Sequence, residues 1–116
     1  ADIESYQALD CDDAEILIVA YGITARAARR ARRELRQEGL KVGLFRPITI
    51  WPFPEEALRQ AAAQADHVLV PEMNAGQLVI EIERLLPGPQ VLPLNRIDGE
   101  PIGPAEIAAR VRELAR

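Results

Sequence analysis

Short apolar runs and amphipathic segments alternate along the chain, four times over, from residue 15 onward. Residues 15–20 (EILIVA) form a continuous apolar run of strand length, the pattern of a strand covered on both faces. In the next segment Ala28, Ala31 and Leu35 recur at helical spacing among arginines. Thr24 is the predicted N-cap of that helix and Gly39 its predicted C′ stop. Residues 41–46 (KVGLFR) read as a second strand. Beyond a proline-rich stretch, Pro54 is placed at the first helical position. Glu55 and Glu56 then fall in the first turn, where the helix dipole favours acids. Leu58, Ala61, Ala62 and Ala65 give this helix a small-residue face. Residues 67–71 (HVLVP) read as a third strand. Leu78, Val79, Ile82, Leu85 and Leu86 then mark one helical face over 77–86, which Pro87-Gly88-Pro89 ends. Residues 90–94 make a fourth strand, and Pro104 opens a last helix with Ile107, Val111 and Leu114 inward. Strands alternating with helices predict an α/β fold with a parallel sheet and right-handed crossovers.

One stretch breaks the pattern. Residues 45–54, FRPITIWPFP, hold three prolines and three of the chain's five aromatic residues, Phe45, Trp51 and Phe53. Such a segment is neither a good helix nor a full strand. Either it docks against a neighbour or its aromatic residues cover the end of the core.

Composition narrows the chemistry. At 116 residues, with 48% apolar and 28% charged positions, the chain is one domain of ordinary globular composition. No apolar run approaches a membrane span, and no signal peptide is visible. The single cysteine, Cys11, cannot form an internal disulfide or build a cluster or zinc site by itself, which makes a reducing cytoplasm the expected compartment. Its thiol is read as passive. With His67 the sole histidine, a two-histidine metal site is excluded. The net charge of −4 conceals an asymmetry: six acids fall in the first fifteen residues, and six arginines in residues 26–36. The arginine cluster lacks interleaved aromatics and sits on an acidic domain. It is read as a solvated face pairing with an acidic neighbour, with an anion site as the alternative. Met73 is the only methionine, so either an initiator was removed or the chain is a piece of a longer one.

In open parallel sheets, function gathers in loops after the carboxyl ends of the strands. The first such loop, Tyr21-Gly22-Ile23-Thr24, has one glycine where a dinucleotide fingerprint needs three, and no G-K-[ST] follows it. A phosphoacceptor receiver domain is also excluded, since Pro71 ends the third strand and no lysine stands near the last. With Ser5 the only serine, there is no serine–histidine–acid set. The loop EMNAGQ at 72–77 clusters Glu72, Asn74 and Gln77 after a buried strand. Either Asn74 caps the next helix while Glu72 and Gln77 satisfy loop backbone groups, or the three form a ligand or partner site.

Three motifs, AYGITAR at 20–26, GLFRPITIWPFP at 43–54 and EMNAGQ at 72–77, resemble the C-terminal domain of the α subunit of 2-oxoacid:ferredoxin oxidoreductases. The resemblance runs over about residues 14–114. More loosely, the chain is similar to the C-terminal domains of transketolase and of 2-oxoacid dehydrogenase β subunits. The resemblance implies a three-layer α/β/α sandwich whose five-stranded, mostly parallel sheet has one antiparallel edge strand, here supplied by residues 3–9. It implies a fragment of a longer subunit whose whole enzyme uses thiamine diphosphate, magnesium, iron–sulfur clusters and coenzyme A, with ferredoxin as electron acceptor. This domain is expected to bind none of these cofactors. Its expected partners are the other domains of the α subunit and the β subunit, not nucleic acid or membrane. The interface candidates are Arg46, Trp51, Phe53, Glu72, Asn74 and Gln77, and no catalytic residue is expected. The alternatives are a free-standing binding or regulatory module, or a transketolase or dehydrogenase relative.

Overall fold

The apolar run ILIV becomes the centre of a sheet, with every one of its side chains buried. The computed structural model describes residues 5–48, 53–73, 77–95 and 100–115. Along them run β1 (Tyr6–Leu9), β2 (Ile16–Val19), α1 (Gly22–Gln37), β3 (Val42–Pro47), α2 (Glu55–Ala61), β4 (His67–Glu72), α3 (Gln77–Leu85), β5 (Gln90–Asn95) and α4 (Pro104–Leu114). The five strands form one sheet in the order β1-β3-β2-β4-β5. Strands β2 to β5 are parallel, while β1 runs antiparallel to β3, pairing Tyr6 with Pro47 and Leu9 with Leu44. The edge strand thus falls inside the predicted 3–9 segment.

Alternation along the strands splits the core into two layers. Ile16, Ile18, Val42, Leu44 and Leu69 face α1 and α4, meeting Ala28, Ala31, Leu35, Ile107 and Val111. Leu17, Val19, Phe45, Val68 and Val70 face α2 and α3, meeting Leu58, Ala61, Ile82 and Leu85. The result is the three-layer sandwich predicted. Each fully buried side chain such as Leu17 or Ile18 contributes about 1.5–3 kcal/mol. Besides Pro47, the last residue of β3, two prolines sit inside strands without breaking them. Pro93 lies on the edge strand β5, and Pro71 lies beyond Leu69, the last β4 residue paired to β2.

Helix α1 stops where expected. Gly39 takes φ 88°, its N–H donates to the Arg36 carbonyl (3.0 Å), and the Leu40 N–H donates to the Leu35 carbonyl (3.1 Å). This is a Schellman ending, sealed by packing of Leu40 on the α1-side core. The start differs from prediction. Tyr21, extended at φ −136° and ψ 168°, is the N-cap, and Thr24 is buried inside the helix. Gly22, at φ 62°, turns the chain from β2 directly into α1, which a residue with a Cβ does less readily. Pro54 is likewise the N-cap of α2 rather than its first helical residue: its ψ of 73° is not helical, and its carbonyl accepts the Leu58 N–H at 3.1 Å. Among the described residues, no helix is long and apolar enough to cross a membrane.

Candidate interface at the carboxyl edge of the sheet

Because β2, β3, β4 and β5 are parallel, their carboxyl ends share one edge of the molecule. Antiparallel β1 adds its first residue, Tyr6, to that edge beside Pro47. The chain beyond β3 is tied to the start of β1 by the Ile48 N–H, which donates to the Ser5 carbonyl at 2.9 Å.

Glu72 ends β4 and is only 2% exposed. Its Oε1 accepts the Leu78 N–H at 3.1 Å and its Oε2 the Val79 N–H at 3.0 Å. These are backbone donors of the first turn of α3, which have no partner inside the helix. The carboxylate therefore acts as a cap from across the loop, with its negative charge at the positive end of the helix dipole. Glu72 satisfies backbone groups, but those of the start of α3 rather than of the loop.

The other candidates do not converge on Glu72. Arg46 is half-buried in β3 opposite Gln7 of β1, and β2 separates β3 from β4. Phe53 is half-buried and packs on the layer beneath α2 and α3, while its carbonyl accepts the Glu55 N–H at 2.9 Å. Gln77 is the first residue of α3. Its side chain, together with Trp51 and Asn74, lies outside the described residues.

Sequence reasoning missed an apolar rim. Among the described residues, the exposed large hydrophobic side chains are Tyr6, Ile23, Ile48, Met73 and Ile80, from 41% (Met73) to 65% (Ile80) exposed. Ile23, Ile48 and Met73 follow the carboxyl ends of β2, β3 and β4, and Ile80 lies in the first turn of α3. Tyr6 stacks on Phe45 with ring centroids 5.3 Å apart and planes 18° from parallel. A hollow of about 140 Å³ lies between Tyr21–Thr24 and Pro71–Met73. At the opposite edge the lining differs: Glu15, Lys41, Asp66 and His67 border the shallow hollow at the amino ends of the strands. The apolar rim was legible only as hydrophobic residues placed just after strand ends, which in a sequence read equally as core.

The arginines of α1 divide by face. Arg32 pairs with the Asp10 carboxylate. Arg36 donates to Asp13 Oδ1 (2.6 Å) and to the carbonyls of Asp10 (2.8 Å) and Val42 (2.9 Å). This bond from Arg36 holds the Asp13 carboxyl below its ordinary range. Arg26, Arg29, Arg30 and Arg33 border an open groove with Glu34, which lies 3.5 Å from Arg30. The inner members of the cluster thus pair with an acidic turn, while the outer four line the groove. Cys11 lies in that turn, with its Sγ 3.4 Å from the Leu44 carbonyl and 3.6 Å from that of Leu9. Burial pushes its thiol up to about 11, against the nucleophilic direction.

The model of the pyruvate:ferredoxin oxidoreductase core domain II family matches residues 14–107 of this chain. The chain belongs to that family. This core domain II is 39% identical over 110 residues to the ketoisovalerate oxidoreductase subunit VorB of Methanothermobacter thermautotrophicus, covering 95% of this chain and 31% of that protein. It is 42% identical over 100 residues to the 2-oxoglutarate synthase subunit KorA of Methanocaldococcus jannaschii, covering 85% and 27%. The chain therefore spans less than a third of the length of these relatives. Among solved structures it superimposes on a 2-oxoglutarate:ferredoxin oxidoreductase from Magnetococcus marinus, determined with 2-oxoglutarate, coenzyme A and succinyl-CoA bound. The TM-score there is 0.83 at 27% identity, over 100% of this chain and 20% of that one. A split-gene transketolase, an inactive beta4 tetramer, shares the fold with a TM-score of 0.73 at 19% identity, over 92% of this chain and 41% of that one.

The residues of core domain II do not fit an iron–sulfur cluster, since the one cysteine of the chain is turned onto two backbone carbonyls. Among the described residues, no group of three or more His, Cys, Asp or Glu could hold a metal ion. The hollow at the carboxyl edge, about 140 Å³, is smaller than the roughly 300–1,000 Å³ of small-molecule pockets.

Proposed function

We propose that this chain is the C-terminal assembly domain of the α subunit of a thiamine-diphosphate-dependent 2-oxoacid:ferredoxin oxidoreductase. The whole enzyme oxidatively decarboxylates a 2-oxoacid to an acyl-CoA and passes the electrons to ferredoxin. The observation that carries this reading is one of proportion. The chain aligns almost end to end with oxidoreductase subunits, yet accounts for less than a third of their length. Its own chemistry supports a structural part in that enzyme. The buried carboxylate at the strand ends is engaged as a helix cap, and the lone thiol is held protonated.

On this reading, thiamine diphosphate, magnesium and the iron–sulfur clusters are held by other domains of the α subunit and by the β subunit. Ferredoxin and coenzyme A engage the whole enzyme. The compartment is the cytoplasm, which suits a chain with one unpaired cysteine. The related subunits belong to enzymes for different acids at similar identity: 39% for ketoisovalerate, 42% for 2-oxoglutarate and 35% for pyruvate. That similarity supports selection of the acid outside this domain.

The test is to isolate the native protein from its source cells with an antibody against this chain. Its intact mass, its visible absorption and its 2-oxoacid- and CoA-dependent reduction of ferredoxin are then recorded. The expected result is a polypeptide far heavier than 116 residues, with a partner, brown iron–sulfur absorbance and turnover. A lone colourless chain of this size, or full turnover by the 116-residue chain alone, would overturn the reading.

A further inference from the structure

We infer that the apolar rim formed by Tyr6, Ile23, Ile48, Met73 and Ile80 is the surface on which a neighbouring domain of the same oxidoreductase subunit sits. The inference rests on the assembly reading above and names the surface through which assembly occurs.

Single exposed apolar residues are ordinary on any protein surface. Their distribution is the observation here. Among the described residues, the exposed large hydrophobic side chains belong to residues at strand ends of the carboxyl edge or in the first turn of a helix that leaves that edge. They follow the sheet order: Tyr6 with β1, Ile48 after β3, Ile23 after β2, Met73 after β4, and Ile80 in the first turn of α3. Tyr6 is backed by the buried Phe45 ring, which fixes its plane. Glu72, at the end of β4, is buried and held by the Leu78 and Val79 amides. The hollow at the opposite edge has Ile16, Leu40 and Leu114 in its lining beside Glu15, Lys41, Asp66 and His67, but none of the exposed large apolar side chains. That concentration of exposed apolar side chains at the carboxyl edge marks it as the covered one.

The occupant follows from proportion and chemistry. The matched oxidoreductase chain is five times the length that this chain covers, so a domain of this kind lies within a much larger polypeptide. An apolar rim fits a permanent contact, in which both surfaces stay buried, and most of the matched polypeptide lies outside this domain and is available to make it. It does not suit a partner that must leave after each turnover, whose contacts are smaller and more polar.

Two unique residues report on the two edges. Met73 is the only methionine and stands on the rim, whereas Lys41 is the only lysine and stands at the amino edge. The native protein, isolated as above, is treated with dilute hydrogen peroxide and, separately, with an acetylating ester. Sulfoxide at Met73 and acetylation at Lys41 are followed by mass spectrometry, with the denatured protein as reference. Exposed as in this structure, Met73 would oxidise within about threefold of its denatured rate; covered, it slows by at least about tenfold. The expected result is protection of Met73 with Lys41 still reactive, in a particle whose α polypeptide is longer than this chain.

Fast oxidation of Met73 in a protein that still reduces ferredoxin would overturn the inference and leave the assembly reading standing. Protection in a particle made only of copies of this chain would give the rim to a second copy, and would overturn both. Protection that vanishes when the β subunit is stripped from an intact α subunit would assign the rim to that subunit and overturn the stated occupant.

Discussion

The carboxylate of Glu72 accepts the backbone N–H of Val79 at 3.0 Å, joining the end of β4 to the first turn of α3 across the intervening loop. Its second oxygen holds the Leu78 N–H, so one buried side chain satisfies two helix-end donors. Glu72→Ala leaves both donors buried without acceptors and is expected to destabilise the domain by about 2–4 kcal/mol. Glu72→Gln keeps one acceptor oxygen but turns an NH2 towards a donor, and falls between the two. Urea unfolding gives the order wild type, Gln, Ala. Hydrogen exchange at residues 78 and 79 should rise before exchange in β2. Equal stability of all three would mean that the cap is not structural.

Gly43 is needed for space, not for conformational freedom. A Cβ at this position would lie 2.8 Å from the Asp10 carbonyl oxygen and 2.9 Å from the Ala14 Cβ. The backbone of the β1–β2 turn would have to retreat from β3. Gly43→Ala is therefore expected to cost about 2–3 kcal/mol by overpacking, the reverse of the usual gain in a strand. Thermal unfolding checks the sign directly. The same substitution at Gly88, where a Cβ would meet nothing within 4 Å, serves as the control.

How much of this was legible beforehand depends on whether the signal is local. The strands β2, β3 and β4 announce themselves because a strand buried on both faces is apolar almost throughout, as ILIV is. Gly39 was legible because a helix end at positive φ selects glycine. The start of α1 was not. Thr24 has the chemistry of an N-cap, but Gly22 turns the chain two residues earlier, and the capping preference yields to the tertiary need to return α1 onto the sheet. The cap on α3 was hidden for another reason: the acceptor, Glu72, lies six residues before the donor Leu78, outside any local capping pattern. The apolar rim needs the sheet order, which no single stretch of sequence contains.

Arg36 ties three segments together, donating to the carbonyls of Asp10 and Val42 as well as to Asp13. Its removal should matter more than the loss of any exposed arginine on α1. Arg36→Ala is expected to destabilise by about 1–2 kcal/mol, whereas Arg29→Ala stays within about 0.5 kcal/mol. Lysine at position 36 cannot reproduce the planar set of donors and should recover little. The pair also leaves a pH signature. The Asp13 carboxyl is held below its ordinary value of 3.8 in the folded state, chiefly by the Arg36 bond. Its contribution is therefore complete above about pH 4 and is lost as pH falls below it. Asp13→Asn should flatten that acid limb, as measured by urea midpoints between pH 5 and 2.

Cys11 provides the opposite test, on the alkaline side. Burial raises its thiol from the ordinary 9.0 to about 11, outweighing the bonds to the Leu9 and Leu44 carbonyls that act the other way. At pH 8 the folded protein should react with iodoacetamide at least about tenfold more slowly than the unfolded chain, because the thiolate is the nucleophile. The linkage has a definite sign. A thiol that is harder to ionise when folded stabilises the fold fully below pH 9, and that contribution fades as pH rises towards 11. Cys11→Ala removes the titrating group, so the variant's stability should decline less steeply between pH 9 and 11 than that of the wild type. Parallel decline in the two proteins would show that the thiol is not buried in the folded state. Rapid alkylation at pH 8 would show the same, and would reopen the reading of Cys11 as a reactive group.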